Sequence, residues 1–253
     1  MERLIFGSRT PCQFHWPSST GASRAKSIRT RASLVYRGRL RRWPYSGGCQ
    51  VSGGSLRDLE IALQELKSVH AKYHLPGVFR SGRGAETDWP ASIPAARELV
   101  LFYNACEPLG VKLETGLTPL KLMALDDLEK AQVGYRWSNA AGGLVSLAAW
   151  PEQHVVIMDD IGGGKPLIAV TGEPGLPVYA NYGAGPPFEV AAKFADFLIA
   201  LARLIDIVHG EFCIFDVFDD DGVVEAFRSR TQAEIEPVLG AENFGRFFDY
   251  FYG

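Results

Sequence analysis

Residues 150–170, WPEQHVVIMDDIGGGKPLIAV, followed by LPVYANYGAG at 176–185 and FEVAAKFADFL at 188–198, decide the fold class of this chain. Three short apolar runs, each closed by Gly, Pro or paired Asp, precede one amphipathic segment, which is the pattern of hairpin strands followed by a helix. The spacing predicts a strand over Val155–Met158, a turn over Asp159–Lys165, a returning strand over Pro166–Val170 and a third strand over Pro177–Tyr182. Pro at a strand entry is tolerated because the first residue need not donate to the ladder. Phe188–Val208 then reads as the longest helix, with Phe188, Ala191, Ala195, Leu198, Ala202 and Ile205 near one face.

Working outward, Leu56, Leu59, Leu63, Leu66 and Val69 recur at helical spacing after Ser55 and Asp58, which predicts a first helix of about 20 residues ending before Pro76. Ile93 and Pro94 open a second helix, where a Pro in the first turn forgoes an N–H that would have no partner anyway. Val111–Leu125 alternates loosely and reads as extended, and Leu125–Tyr135 reads as helical with Asp126 or Asp127 as cap. From about residue 211 the chain is aromatic and acidic: FCIFDVFDDDG, the amphipathic EAFRSRTQAEIEPVL, then FGRFFDYFYG, whose Phe244, Phe247, Phe248 and Phe251 clamp a closing helix onto the body.

A length of 253 residues with 47% apolar and 22% charged content suits one good core or two small ones and excludes disorder throughout. No apolar run reaches the ~18–20 residues of a membrane span. The longest candidate, Phe188–Val208, is interrupted by Glu189, Lys193, Asp196, Arg203 and Asp206, so a soluble protein with no membrane partner is expected, placed in the cytoplasm. Cys12, Cys49, Cys106 and Cys213 form no CxxC pair and no metal-ligand spacing with the histidines, which suggests free thiols in a reducing compartment.

Charge divides the chain. Residues 1–54 carry ten Lys or Arg against one acid, a net of +9, whereas residues 55–253 carry sixteen against twenty-eight, a net of −12. The leader, with RGRLRRW at 37–43, shows no helical or alternating period and reads as mostly disordered. It has the composition of an organellar transit peptide, of a basic arm for nucleic acid or anionic lipid, or of a mis-called start. The last is favoured, with Val51 as the true first position, because the composition changes abruptly there. Residues 55–253 are expected to form a single domain.

Several motifs in order resemble the SUKH superfamily, which includes bacterial immunity proteins against polymorphic toxins and fungal regulators of cell-wall synthesis. They are Ile93-Pro94 opening a helix that ends FYN at 102–104, LTPLKLMALDDLEKA at 117–131, VVIMDDIGGGKPLIAV at 155–170, PVYANY at 177–182 and AAKFADFL at 191–198. The resemblance covers about Leu56–Val208. It implies an α+β domain with a twisted, mostly antiparallel sheet flanked by helices, and a protein that acts by binding, with no shared catalytic residues. Asp160, Gly164 and Pro166, at the family's recurrent Asp, Gly and Pro, are implied turn-makers, and Gly162 and Gly163 supply positive φ in the same turn.

Other chemical readings fail on spacing. A phosphate loop needs GxxxxGK followed by Ser or Thr, but here Asp159 stands at the first Gly and Pro166 at the hydroxyl. Aligning Gly222 with the sixth position of a calcium loop puts Val217 at the first ligand and Arg228 at the twelfth, which excludes an EF-hand. The acidic run is then a solvated helix start and a docking patch. His70 and His74 have helical metal-ligand spacing without the intervening Glu of HExxH or a third ligand, so no metal and no cofactor are expected. His209, Cys213 and Asp216 follow a helix end without catalytic spacing, and no GxSxG nucleophile occurs.

These observations point to a non-catalytic binding protein, an immunity protein that neutralises a cognate basic toxin such as a nuclease. Asp219, Asp220, Asp221, Glu225 and Trp89 are the expected contacts. An acidic inhibitor steers toward a basic enzyme, and the folded part is not expected to bind nucleic acid directly. The alternatives are a regulatory scaffold for a housekeeping partner and a metal-dependent enzyme built on Asp159 and Asp160 or the triple Asp.

Overall fold

In the computed structural model the described residues are 53–81, 85–140, 143–182 and 185–253, so the basic leader through residue 52 lies outside them. The chain runs through α1 (Gly53–Lys72), β1 (Val78–Arg80), α2 (Ala85–Asp88), α3 (Arg97–Cys106), β2 (Glu107–Leu109), β3 (Lys112–Leu113), β4 (Leu120–Leu122), a 3-10 turn (Leu125–Asp127) and α4 (Leu128–Ala131). A hairpin of β5 (Trp137–Ala140) and β6 (Gly143–Ser146) follows, then β7 (His154–Asp160), β8 (Leu167–Val170), β9 (Val178–Ala180) and β10 (Phe188–Ala191). Next come α5 (Phe194–Gly210), β11 (Phe218–Asp219), β12 (Gly222–Val223), α6 (Glu225–Leu239) and α7 (Ala241–Tyr252).

Six strands make one sheet in the order β10-β9-β8-β7-β4-β3, and each neighbouring pair is antiparallel. This is an α+β fold. β7 and β8 are the central strands, and their near-continuous VVIMD and LIAV runs are buried on both faces. On one face α5 lies between α1 and α6 and against β10. Because it is covered on so many sides, it buries Phe194, Phe197, Leu198, Leu201, Leu204, Ile205 and Val208 rather than a single stripe. α7 packs on β10 and α6 through Phe247, Phe248 and Phe251, and each such ring stabilises the fold by about 1.5–3 kcal/mol on area grounds.

On the opposite face an aromatic row, Tyr135, Trp150, His154 and Tyr179, runs with ring centroids 5.7, 5.8 and 6.0 Å apart. The Trp150 indole N–H donates to the His154 carbonyl at 3.0 Å. Beside this row Gln132 does the work of a missing strand. Its fully buried carboxamide accepts from the Val156 N–H at 2.9 Å and donates to the Val156 carbonyl at 2.8 Å and the Leu128 carbonyl at 2.9 Å. β4 pairs with β7 only over Met158–Asp160, so Val156 would otherwise have two open backbone groups.

Four expectations are corrected. Phe188–Ala191 is the edge strand β10, paired with β9, and the helix starts only at Phe194; α1, with 20 residues, is longer than α5, with 17. The second helix begins at Arg97, because the Ile93 carbonyl, which would accept the first helical bond, accepts the Trp89 indole N–H at 2.9 Å. The helical stretch at Leu125–Tyr135 closes after one short turn of α4, where Gln132 turns inward. The acidic run is no helix start: Phe218↔Val223 and Asp219↔Gly222 pair as a hairpin, and α6 begins after it at Glu225. The Asp219 carboxylate accepts the Asp221 N–H at 3.0 Å in an Asx turn and Gly222 sits at φ +119°. Cys106 is a free, buried thiol.

Candidate functional site

The glycine-rich turn between β7 and β8 is organised from below by one carboxylate. Asp159 is 6% exposed, and its Oδ1 accepts the N–H groups of Asp160, Gly164 and Lys165 at 2.9, 3.2 and 3.0 Å, while its Oδ2 accepts the Tyr135 hydroxyl at 2.6 Å. The Tyr135 oxygen in turn accepts the Gly164 N–H at 3.0 Å. Burial is the largest influence on the Asp159 carboxyl and pushes it above its ordinary range, against the pull of the Tyr135 hydroxyl. Gly163 and Gly164 take φ of +79° and +112°, conformations that a side chain would strain. Gly162, expected to take positive φ as well, does not; it lies beside the Asp160 carboxylate, whose Oδ1 accepts the Lys165 N–H at 3.2 Å, and Pro166 closes the turn before β8.

Three further segments gather at this end of the sheet. The β3–β4 loop joins through the Ile161 N–H, which donates to the Pro119 carbonyl at 3.0 Å, and the β9–β10 loop through the Asn181 N–H, which donates to the Pro166 carbonyl at 3.1 Å. Lys165 ties both, with Nζ donating to Thr118 Oγ1 at 3.1 Å and lying 6.0 Å from the Tyr182 ring centroid. The segment before β11 rests on Gly116: a Cβ there would stand 3.0 Å from Val217 Cγ2. α7 fastens the group from below, since the Tyr250 hydroxyl donates to the Lys165 carbonyl and the Tyr252 hydroxyl to the Thr115 carbonyl, each at 2.6 Å. Burial pushes both phenols far above their ordinary range, so they remain donors.

On this braced base Leu117, Ile161 and Tyr182 point outward with 49%, 39% and 44% of their surface exposed. The β11–β12 hairpin brings Asp219, Asp220 and Asp221, all exposed, alongside exposed Asp216 and the first residue of α6, Glu225. Residues 204–227 contain seven acids and no Lys or Arg. Asp206 pairs with Lys72 and Glu211 with Arg230, but Asp216, Asp219, Asp220 and Asp221 make no ion pair among the described residues. Uncompensated like charges held this close repel, and a cationic surface would relieve them.

Trp89 belongs elsewhere. Its ring packs edge-on against Tyr103 of α3 with centroids 5.8 Å apart, and its N–H is held by Ile93, so it braces the start of α3 rather than joining the acidic hairpin. His70 and His74 do not share a helix face. α1 ends at Lys72, His74 has φ +51°, and the His70 Nε2–H donates to the Pro76 carbonyl at 3.1 Å. His209 is likewise occupied, donating from Nε2 to the Glu114 carbonyl at 3.0 Å beneath Tyr73. Sequence reasoning missed Leu117, Ile161 and Tyr182, yet each is an apolar residue set within a Gly- and Pro-rich turn, where no core face exists to receive it.

No helix among the described residues is long and apolar enough to cross a membrane. Compared with known proteins, the chain matches no family model, no curated protein and no solved structure.

Proposed function

We propose that this chain is a SUKH-like, non-catalytic binding protein that acts in the cytoplasm as an immunity protein and neutralises a basic toxin domain such as a nuclease. The observation that carries the reading is the loop end of the sheet, where exposed apolar side chains stand beside unpaired carboxylates on a base braced by Lys165, Tyr250 and Tyr252. Such a face offers a dry contact for the centre of an interface and charge for steering. Its acidic arm copies the charge of a nucleic-acid backbone, which a nuclease must already recognise. Asp159 supports a binding role over metal chemistry, because both of its oxygens are occupied in holding the turn.

The test is association of the full chain with the toxin domain encoded beside its gene. The on-rate is expected to fall about tenfold or more from low to high salt, as electrostatically steered encounters do. Replacing Asp219, Asp220 and Asp221 by Asn together slows association and leaves dissociation nearly unchanged, while Leu117→Ala with Tyr182→Ala mainly speeds dissociation. Failure of co-expression to protect cells from any neighbouring toxin sinks the immunity reading, and a salt-independent on-rate sinks the acidic face.

A further inference from the structure

The β5–β6 hairpin carries a second surface of different chemistry. Residues 137–150, WSNAAGGLVSLAAW, contain no charged side chain in a chain of 22% charge. Leu144 opposes Asn139 and Val145 opposes Ser138, so Leu144 and Val145 point to opposite faces, yet both are more than half exposed, at 57% and 51%. The hairpin rests on the body only at its base, where Trp137 packs against the core, and β6 is exposed along its whole length. The outer edge of β5 is shielded at its start, where the Trp137 carbonyl accepts the Gly134 N–H at 2.7 Å. Among the described residues β6 pairs with β5 alone, leaving the outer edge of Gly143–Ser146 open.

We infer that this edge pairs with the same edge of a second copy of the chain, joining two hairpins into a four-stranded antiparallel sheet across a two-fold axis. A solitary strand edge is ordinarily guarded by Lys, Pro or a bulge, and Gly143-Leu144-Val145-Ser146 has none of these. The chemistry of the patch selects the occupant. Lipid would bury the Leu and Val side chains but leave the open N–H and C=O groups of β6 without partners. A basic partner finds no carboxylate here to hold. A second copy supplies both the missing backbone partners and an uncharged apolar surface, and it brings two bodies of net −12 together at a place that adds no charge repulsion. The surface is distinct from the loop end of the sheet and does not depend on the toxin reading.

Sedimentation equilibrium of the full chain tests this. A reversible dimer is expected, tightened or unchanged by added salt, and Leu144→Lys with Val145→Lys weakens it at least about tenfold by setting like charges opposite one another. Both positions are exposed, so the far-UV circular dichroism of the variant stays that of the wild type. As an independent readout, amide exchange over Gly143–Ser146 slows as protein concentration rises in the wild type. A wild type that remains monomeric up to about 0.1 mM, a weak-affinity range, overturns the inference. So does a dimer that persists unweakened in the double-Lys variant, or β6 exchange that ignores concentration.

Discussion

Replacing Gln132 by Leu removes a side chain that stands in for a strand, at nearly constant volume. The carboxamide makes three hydrogen bonds of 2.8–2.9 Å, and without them the N–H and carbonyl of Val156 and the carbonyl of Leu128 lose partners inside the core. At about 1–3 kcal/mol for each buried group left unpaired, the loss is about 3–9 kcal/mol. Burying an apolar Leu in place of an amide returns about 1.5–3 kcal/mol. At mid-range a net destabilisation of about 4 kcal/mol remains, against a total of about 5–15 kcal/mol for a domain. Urea unfolding followed by tryptophan fluorescence, with Trp150 close by on the same face of the sheet, measures it. Gln132→Glu refines the argument. A carboxylate accepts from Val156 but cannot donate to either carbonyl, whereas a protonated carboxyl can do both, so the fold raises this carboxyl's pKa. The native state then binds more protons than the unfolded state above pH ~4.3, and the variant must gain stability relative to wild type as pH falls through the raised value. A loss under about 1 kcal/mol in Gln132→Leu refutes the strand-substitute account, as does a Gln132→Glu deficit that does not shrink in acid.

Three other outcomes follow from the same packing. Burial lowers the pKa of His70, His154 and His209, and a buried neutral ring favours the native state only while it stays neutral. The unfolded chain binds protons first, from pH ~6.5 downward, so the urea midpoint falls between pH 7.5 and 5.5; a midpoint that holds or rises contradicts this. Gly77→Ala meets the Gly110 carbonyl and the Val111 nitrogen at 2.5 Å in a backbone at φ +88°, so a loss of about 2 kcal/mol or more is expected in thermal melts, and an unchanged Tm denies the close approach. Burial pushes the Cys106 thiol up to about 12, so in the native protein it should react with Ellman's reagent only at the rate of unfolding; fast reaction without denaturant contradicts this burial.

The central hairpin was legible because its signals are local: apolar runs of strand length with glycines between them fix β7, the turn and β8 with no knowledge of the rest. Phe188–Ala191 was misread because FEVA satisfies both helical and strand spacing, and the deciding factor, an open edge on β9, lies outside the segment. The acidic run misled for a related reason. Three consecutive Asp suit a helix start as well as a tight turn, and only the Gly222 conformation and the pairing of Phe218 with Val223 separate the two. Ile93 shows a third kind of failure, since its carbonyl is captured by an indole from Trp89 and sequence patterns do not register side-chain competition for backbone groups. At the candidate face the carboxylates were visible as composition, but the apolar residues beside them became visible only once the sheet aligned the loops.

The two tyrosines of α7 give the loop end an unusual thermodynamic status. Tyr252 reaches back 137 positions to Thr115, and Tyr250 reaches back 85 positions to Lys165. Loops at the end of a sheet often open on their own, at a fraction of the free energy of global unfolding. Here the loops are tied to the closing helix, so the face exists as a unit only in molecules whose whole fold is complete. A partner that grips it therefore binds the native state alone, and by linkage it raises the stability of the entire sheet and its helices, including α1 on the far side of α5, rather than quieting a local flap.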